Sequence, residues 1–202
     1  MNRLRHIRSL FAVMLLLLAA GLVSCGNRAQ HEVLLRAEAL MESDPHAARA
    51  VLDSLTRENE NHPSSLFHLP SKRDAALYAL LRTQADYKCR IRLASDSLPL
   101  IATNYYGTKR KTQSAALAQY YLGCAYGDMG RDLDAIDALL RATTLFPDTT
   151  NRYFANSLFE LGILYMNHHM ENDALTSFLR YRHLDICNSD SINIGYTDYY
   201  ME

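Results

Sequence analysis

The sequence predicts an all-α fold of paired helices, and three observations carry that expectation. The first is a pattern that returns in register: Leu122-Gly123, Tyr126, Ala135, Leu139, Ala142 and Pro147 have counterparts in Leu161-Gly162, Tyr165, Ala174 and Phe178. The second is apolar spacing, which recurs at three and four residues along most of the chain. The third is composition, with eight glycines, five prolines and no tryptophan in 202 residues.

Taken in order, Val33, Leu34, Ala37, Leu40 and Met41 form one amphipathic stripe. Asp44-Pro45 reads as the cap and first residue of a second helix, with Ala48, Val51, Leu52 and Leu55 on its buried face. Residues 56–72 are polar and contain Pro63 and Pro70, which predicts a loop. A third helix over 73–88 turns Leu77, Leu80, Leu81 and Ala85 inward. Asp96 or Ser97 caps a fourth, whose stripe is Leu98, Ile101, Ala102, Tyr105 and Tyr106.

The patterned half supplies four more helices. Residues 116–149 and 155–188 follow the register of W-x2-L-G-x2-Y, A-x3-F and P, and so resemble the tetratricopeptide repeat, a helix–turn–helix unit of about 34 residues. The resemblance implies an α-α superhelical solenoid over 31–188. Small residues stand where the two helices cross (Gly123 with Ala135, Gly162 with Ala174), and Tyr126, Leu139, Tyr165 and Phe178 fill the wedge beside them. Gly130 falls in the turn, where left-handed backbone is cheap only for glycine, and Pro147 ends the second helix. The second unit departs from the pattern at His169, Tyr181 and Ile186, and Gln119 and Leu158 replace the leading large residue. Ser189-Asp190-Ser191 reads as a further helix start, so 189–202 is either a cap or the opening of another repeat in a shortened member of a longer family.

At the front, Arg3, Arg5 and Arg8 precede an uncharged run over 10–23, too short for a comfortable membrane span. Leu22-Val23-Ser24-Cys25 then resembles the lipobox of bacterial lipoproteins. That resemblance makes 1–24 a signal peptide, Cys25 the lipidated first residue of the mature chain, and 25–30 a tether. Several acyl chains anchor a protein effectively permanently. No aspartate follows Cys25 and no acidic run succeeds it. By resemblance this favours the periplasmic face of the outer membrane.

Removing 1–24 takes away three arginines and no acid, so the formal charge falls from −1 to −4. That disfavours nucleic acid as a partner. Lys109-Arg110-Lys111 reads as a solvated linker. With Cys25 assigned, Cys89, Cys124 and Cys187 form an odd set without C-x-x-C spacing. His168-His169 has no third ligand at metal spacing, and His62 and His68 lie in the loop. Asp128, Asp132, Asp134 and Asp137 surround a turn and a helix start, where carboxylates suit the dipole. The expectation is therefore no catalytic residue, no metal and no cofactor.

What remains is the groove that the first helix of each repeat lines in this family. Mapped onto the two units, it takes Tyr120, Cys124 and Gly127, then Asn156, Phe159, Ile163 and Met166. The Lys and Asn that clamp a terminal carboxylate in chaperone-adaptor members are missing. An aromatic and aliphatic groove suits a protein or peptide with an apolar segment. The expected function is thus a non-enzymatic, membrane-anchored interaction scaffold. Alternatives are a truncated sensory or regulatory repeat protein, an outer-membrane assembly lipoprotein, and, less favoured, a glycan-binding lipoprotein.

Overall fold

The computed structural model describes residues 28–60, 71–107 and 110–184. The signal peptide, Cys25, Lys109, Cys187, His62, His68 and the segment 189–202 lie outside them. The described residues are all-helical, with no strand. Helix α1 spans 28–40 and is followed by α2 (Pro45–Glu60), α3 (Lys72–Lys88), α4 (Ser97–Tyr106), α5 (Gln113–Asp128), α6 (Asp132–Leu145), α7 (Arg152–Asn167) and α8 (Glu171–Arg182). None of the described helices is long and apolar enough to cross a membrane. The chain divides into two compact units, Met1–Ala75 and Ala76–Glu202.

In the first unit α1 begins at residue 28, within the segment read as a tether, and buries Leu34, Ala37 and Met41. Asp44 caps α2 by accepting from the Ala47 amide at 2.9 Å. The helix then runs through Glu60, five residues into the expected loop. Polarity alone is not a stop signal: Arg and Glu are good helix formers, and the first proline comes at 63. Ser71 caps α3, its hydroxyl accepting from the Asp74 amide at 3.1 Å and donating to the Asp74 carboxylate at 2.6 Å. The other carboxylate oxygen meets His31 Nδ1 at 2.7 Å, which ties α1 to the head of α3.

In the second unit each helix packs on its neighbours in sequence, α4 on α5, α5 on α6, α6 on α7 and α7 on α8, and α5 also touches α7. A Cβ added at Gly123 would lie 2.7 Å from Leu139 Cγ and 3.3 Å from the Ala135 carbonyl. One added at Gly162 would lie 2.3 Å from the Phe178 ring. Both glycines therefore sit at close helix crossings, against the residues that the spacing assigns to the wedge. Thr112 and Asn151 cap α5 and α7 through their side chains, each contact being worth about 1 kcal/mol.

Helices α3, α5 and α7 end alike. In each, one amide reaches back five residues (Ile91 to Asp86, Arg131 to Tyr126, Met170 to Tyr165), while the residue before it bonds the carbonyl three back. That is the Schellman motif, which needs a left-handed residue at its centre. Gly130 supplies it at φ +73°, but Arg90 and His169 adopt it at +60° and +57° without being glycine.

Helix α4 corrects the expected stripe. Ile101 and Tyr105 are 36 % and 45 % exposed, while Pro99, Ala102 and Thr103 are buried. Small residues let this helix approach α5 closely, so its buried face is not its bulkiest one. In α3 the expected stripe is too narrow. Tyr78 to Leu81 and Thr83 to Ala85 are all buried, and Leu77 only half so.

Candidate functional site

The last turns of α3, the residues that follow them, and the faces of α5 and α7 enclose an open cavity of about 840 Å3. Its wall is aromatic. Tyr87, Tyr120, Tyr121 and Tyr153 meet edge to face, with ring centroids 4.9 to 6.4 Å apart. Offset and edge-on contacts of this kind satisfy the ring quadrupole and fix ring orientation. Gln84 donates to the Tyr153 hydroxyl at 3.2 Å, joining α3 to α7. Lys88 lies 5.6 Å from the centroid of the Tyr153 ring.

The rim is set by the end of α3. After the left-handed residue Arg90 the chain doubles back, and Arg92 donates from Nε and Nη2 to the Asp128 carbonyl at 2.9 and 2.7 Å. The Asp128 carboxylate in turn accepts from the Leu93 amide at 2.8 Å. These bonds satisfy the exposed C-terminal end of α5 and hold the connection against it. Arg90, Ile91 and Arg92 thereby border the cavity on one side, and Arg152 and Asn156, from the first turns of α7, on another.

A smaller hollow of about 120 Å3 adjoins it, bordered by Cys124, Gly127, Glu160 and Ile163. Tyr87 donates to Glu160 at 3.4 Å and lines both spaces. Burial raises the Glu160 carboxyl above the usual carboxylate range, with the charge of Asp128 acting in the same direction. Burial also pushes the Cys124 thiol up, with Glu160 adding to it. Tyr120 is raised by burial, and Tyr87 by Cys124 first and burial second. A thiol held in its neutral form is a weak nucleophile, so this cluster is a poor setting for covalent chemistry.

Of the expected groove residues, Tyr120, Asn156 and Phe159 line the cavity, Cys124, Gly127 and Ile163 border the smaller hollow, and Met166 lines neither. Tyr120 and Cys124 are only 2 % and 9 % exposed. They form the wall beneath a surface offered by their neighbours, because Tyr120 is packed among three other tyrosines. Sequence reasoning missed the contribution of α3 and of Arg152, Tyr153 and Glu160. The repeat pattern holds only in the later units, so it assigns no groove position to α3.

The remaining sequence candidates fall outside the cavity. His168 Nε2 meets Asp132 at 2.9 Å, joining the end of α7 to the start of α6. Arg131 lies 4.2 Å from the Tyr126 ring centroid and pairs with Asp134 and Asp96. Cys124 is a buried free thiol. Among the described residues, no three His, Cys, Asp or Glu side chains gather as a metal set. Set against known protein families, curated proteins and solved structures, the chain matches none significantly.

Proposed function

We propose that this protein is a non-enzymatic interaction scaffold, an α-α solenoid of tetratricopeptide-like hairpins held at a membrane by lipid on Cys25, with the α3/α5/α7 cavity receiving a segment of a partner protein. The observation that carries this reading is the cavity's construction. It is lined by α3, α5 and α7, and the last two cross the helices that follow them at Gly123 and Gly162. The export-like N-terminus ending in Cys25 supports the anchor. The cavity's volume lies within the range of binding pockets, and burial raises the Tyr120 hydroxyl in its wall.

The test is a pull-down from membranes with the lipidated chain, beside Asn156→Ala and Phe159→Ala. Asn156 borders the cavity and is half-buried, so its truncation is expected to weaken capture without moving the melting temperature. Phe159 also packs on Phe178 and Tyr181 at 6.2 and 5.4 Å, so its variant is expected to lose both binding and some stability. Capture unchanged in both variants would remove the cavity from the function. Labelling with a palmitate analogue tests the anchor, and equal label on wild type and Cys25→Ala would refute lipidation at that residue.

A further inference from the structure

We propose that the α3/α5/α7 cavity selects an acidic segment of its partner, whose side-chain carboxylates seat on Arg90 and Arg152. This rests on the partner-binding reading above and names the chemistry of the partner. The chain as a whole has 22 acidic and 21 basic residues, yet the cavity is bordered by Lys88, Arg90, Arg92 and Arg152 against only Asp128 and Glu160. The four cations outnumber the two acids; the carboxylate of Asp128 accepts from the Leu93 amide, and burial raises the Glu160 carboxyl.

The cations differ in what they already hold. Arg92 is committed to the Asp128 carbonyl, and Lys88 stands over the Tyr153 ring. Arg90 and Arg152 have no side-chain partner among the described residues. A carboxylate arriving there breaks no existing pair, and arginine can hold it through two parallel hydrogen bonds. A concave wall of low dielectric focuses the field of such charges on an incoming anion.

One other anionic class fits less well. Single-stranded nucleic acid is gripped largely by stacking on open aromatic faces. Here the tyrosines pack edge to face at interplanar angles of 61 to 83°, and Tyr120 and Tyr121 are buried, so their faces are already used. Ile91, 39 % exposed, and the half-buried Phe159 instead offer small apolar contacts beside the cations. An extended strand that alternates acidic and apolar side chains matches that layout.

The experiment measures binding of a fluorescent peptide of alternating glutamate and leucine to the full chain. The peptide is acetylated and amidated, so only side-chain carboxylates are on offer. A lysine–leucine counterpart, oligouridylate and a heparin fragment are run in parallel. The acidic peptide is expected to bind about tenfold or more tighter than the lysine peptide, to weaken with salt, and to lose about tenfold in R90E/R152E. That variant keeps the fold: a carboxylate in the first turn of α7 suits its dipole, and position 90 exchanges one non-glycine residue for another. Equal binding of the two peptides, no effect of the charge reversal, or no binding of either peptide overturns the inference. So does tighter, charge-dependent binding of oligouridylate or heparin. If both peptides bind equally and Asn156→Ala weakens both, the acidic preference falls while the cavity remains the partner site.

Discussion

The hairpins α5/α6 and α7/α8 solve the same crossing with different large residues and different turns. Gly123 faces Leu139 and Ala135 in the first, whereas Gly162 faces the ring of Phe178 in the second. The turn is glycine at 130 and histidine at 169, both left-handed. Position 121, beside the cavity, is a buried tyrosine in α5, and its counterpart nine residues before the left-handed turn of α7 is Glu160. The comparison separates what the hairpin requires from what it tolerates. A missing side chain at the crossing is common to both, while the filling residue, the turn residue and the cavity-facing residue vary.

The largest expected effect lies at the crossing. Gly162→Ala should cost about 2 kcal/mol and Gly123→Ala about 1 kcal/mol, overpacking being partly offset by the better helix propensity of alanine. The order follows from the neighbours. Both side chains are buried, but Leu139 can give by a rotamer change, whereas the rigid Phe178 ring is backed by Phe159. Thermal or urea melts of both variants check it. Phe178→Leu should recover part of the loss in the Gly162→Ala background, with a coupling of about 1 kcal/mol between the two positions. Equal losses in the two hairpins, or no coupling, would show that the ring does not set the limit.

The same comparison explains what was legible from sequence. The crossing could be read because a small residue and a large one must recur at a fixed offset, and neither can be exchanged freely. Helix α3 lacks this signal, because Thr83 stands seven residues before Arg90, where Gly123 and Gly162 stand relative to Gly130 and His169. Thr83 is buried and turns its hydroxyl onto the Ala79 carbonyl at 2.8 Å, so a polar residue fills the position that the spacing gives to glycine. With α3 unmatched, the cationic rim it carries was invisible. The orientation of α4 was lost for a different reason. Its contacts are made by Pro99, Ala102 and Thr103, and ranking residues by apolar bulk points to Ile101 and Tyr105 instead.

A smaller effect tests the turns. His169→Gly should stabilise by roughly 0.5–1 kcal/mol, since relief of left-handed strain exceeds the added freedom of the unfolded chain. Gly130→His should destabilise by about 1 kcal/mol for the converse reason. No neighbouring atom lies within 4 Å of a Cβ built at Gly130, so the effect there is one of backbone conformation alone. Melting curves of the two reciprocal variants check the pair. Loss of stability in His169→Gly would mean that the imidazole contributes something to the second hairpin that glycine does not contribute to the first.

The smallest effect concerns the pair Tyr121 and Glu160, and its signature is pH dependence. Burial raises the folded-state carboxyl of Glu160 above its unfolded value, so the folded protein binds that proton more tightly than the unfolded chain does. Stability linked to it is fully present below the unfolded value and is lost as pH rises through the raised folded value. Above both, the buried carboxylate is a standing cost. Glu160→Gln keeps the shape and an oxygen that can accept from Tyr87, so it should leave stability unchanged near pH 4 and raise it by roughly 0.5–1 kcal/mol at pH 8. Melts of wild type and variant at the two pH values isolate the group, because every other titration is shared. A difference independent of pH would mean that folding does not shift the Glu160 carboxyl, and a variant less stable at pH 8 would mean that the cavity holds Glu160 as a stabilised anion. In that case the polar substitution at this position would favour the second hairpin rather than weaken it relative to the tyrosine of the first.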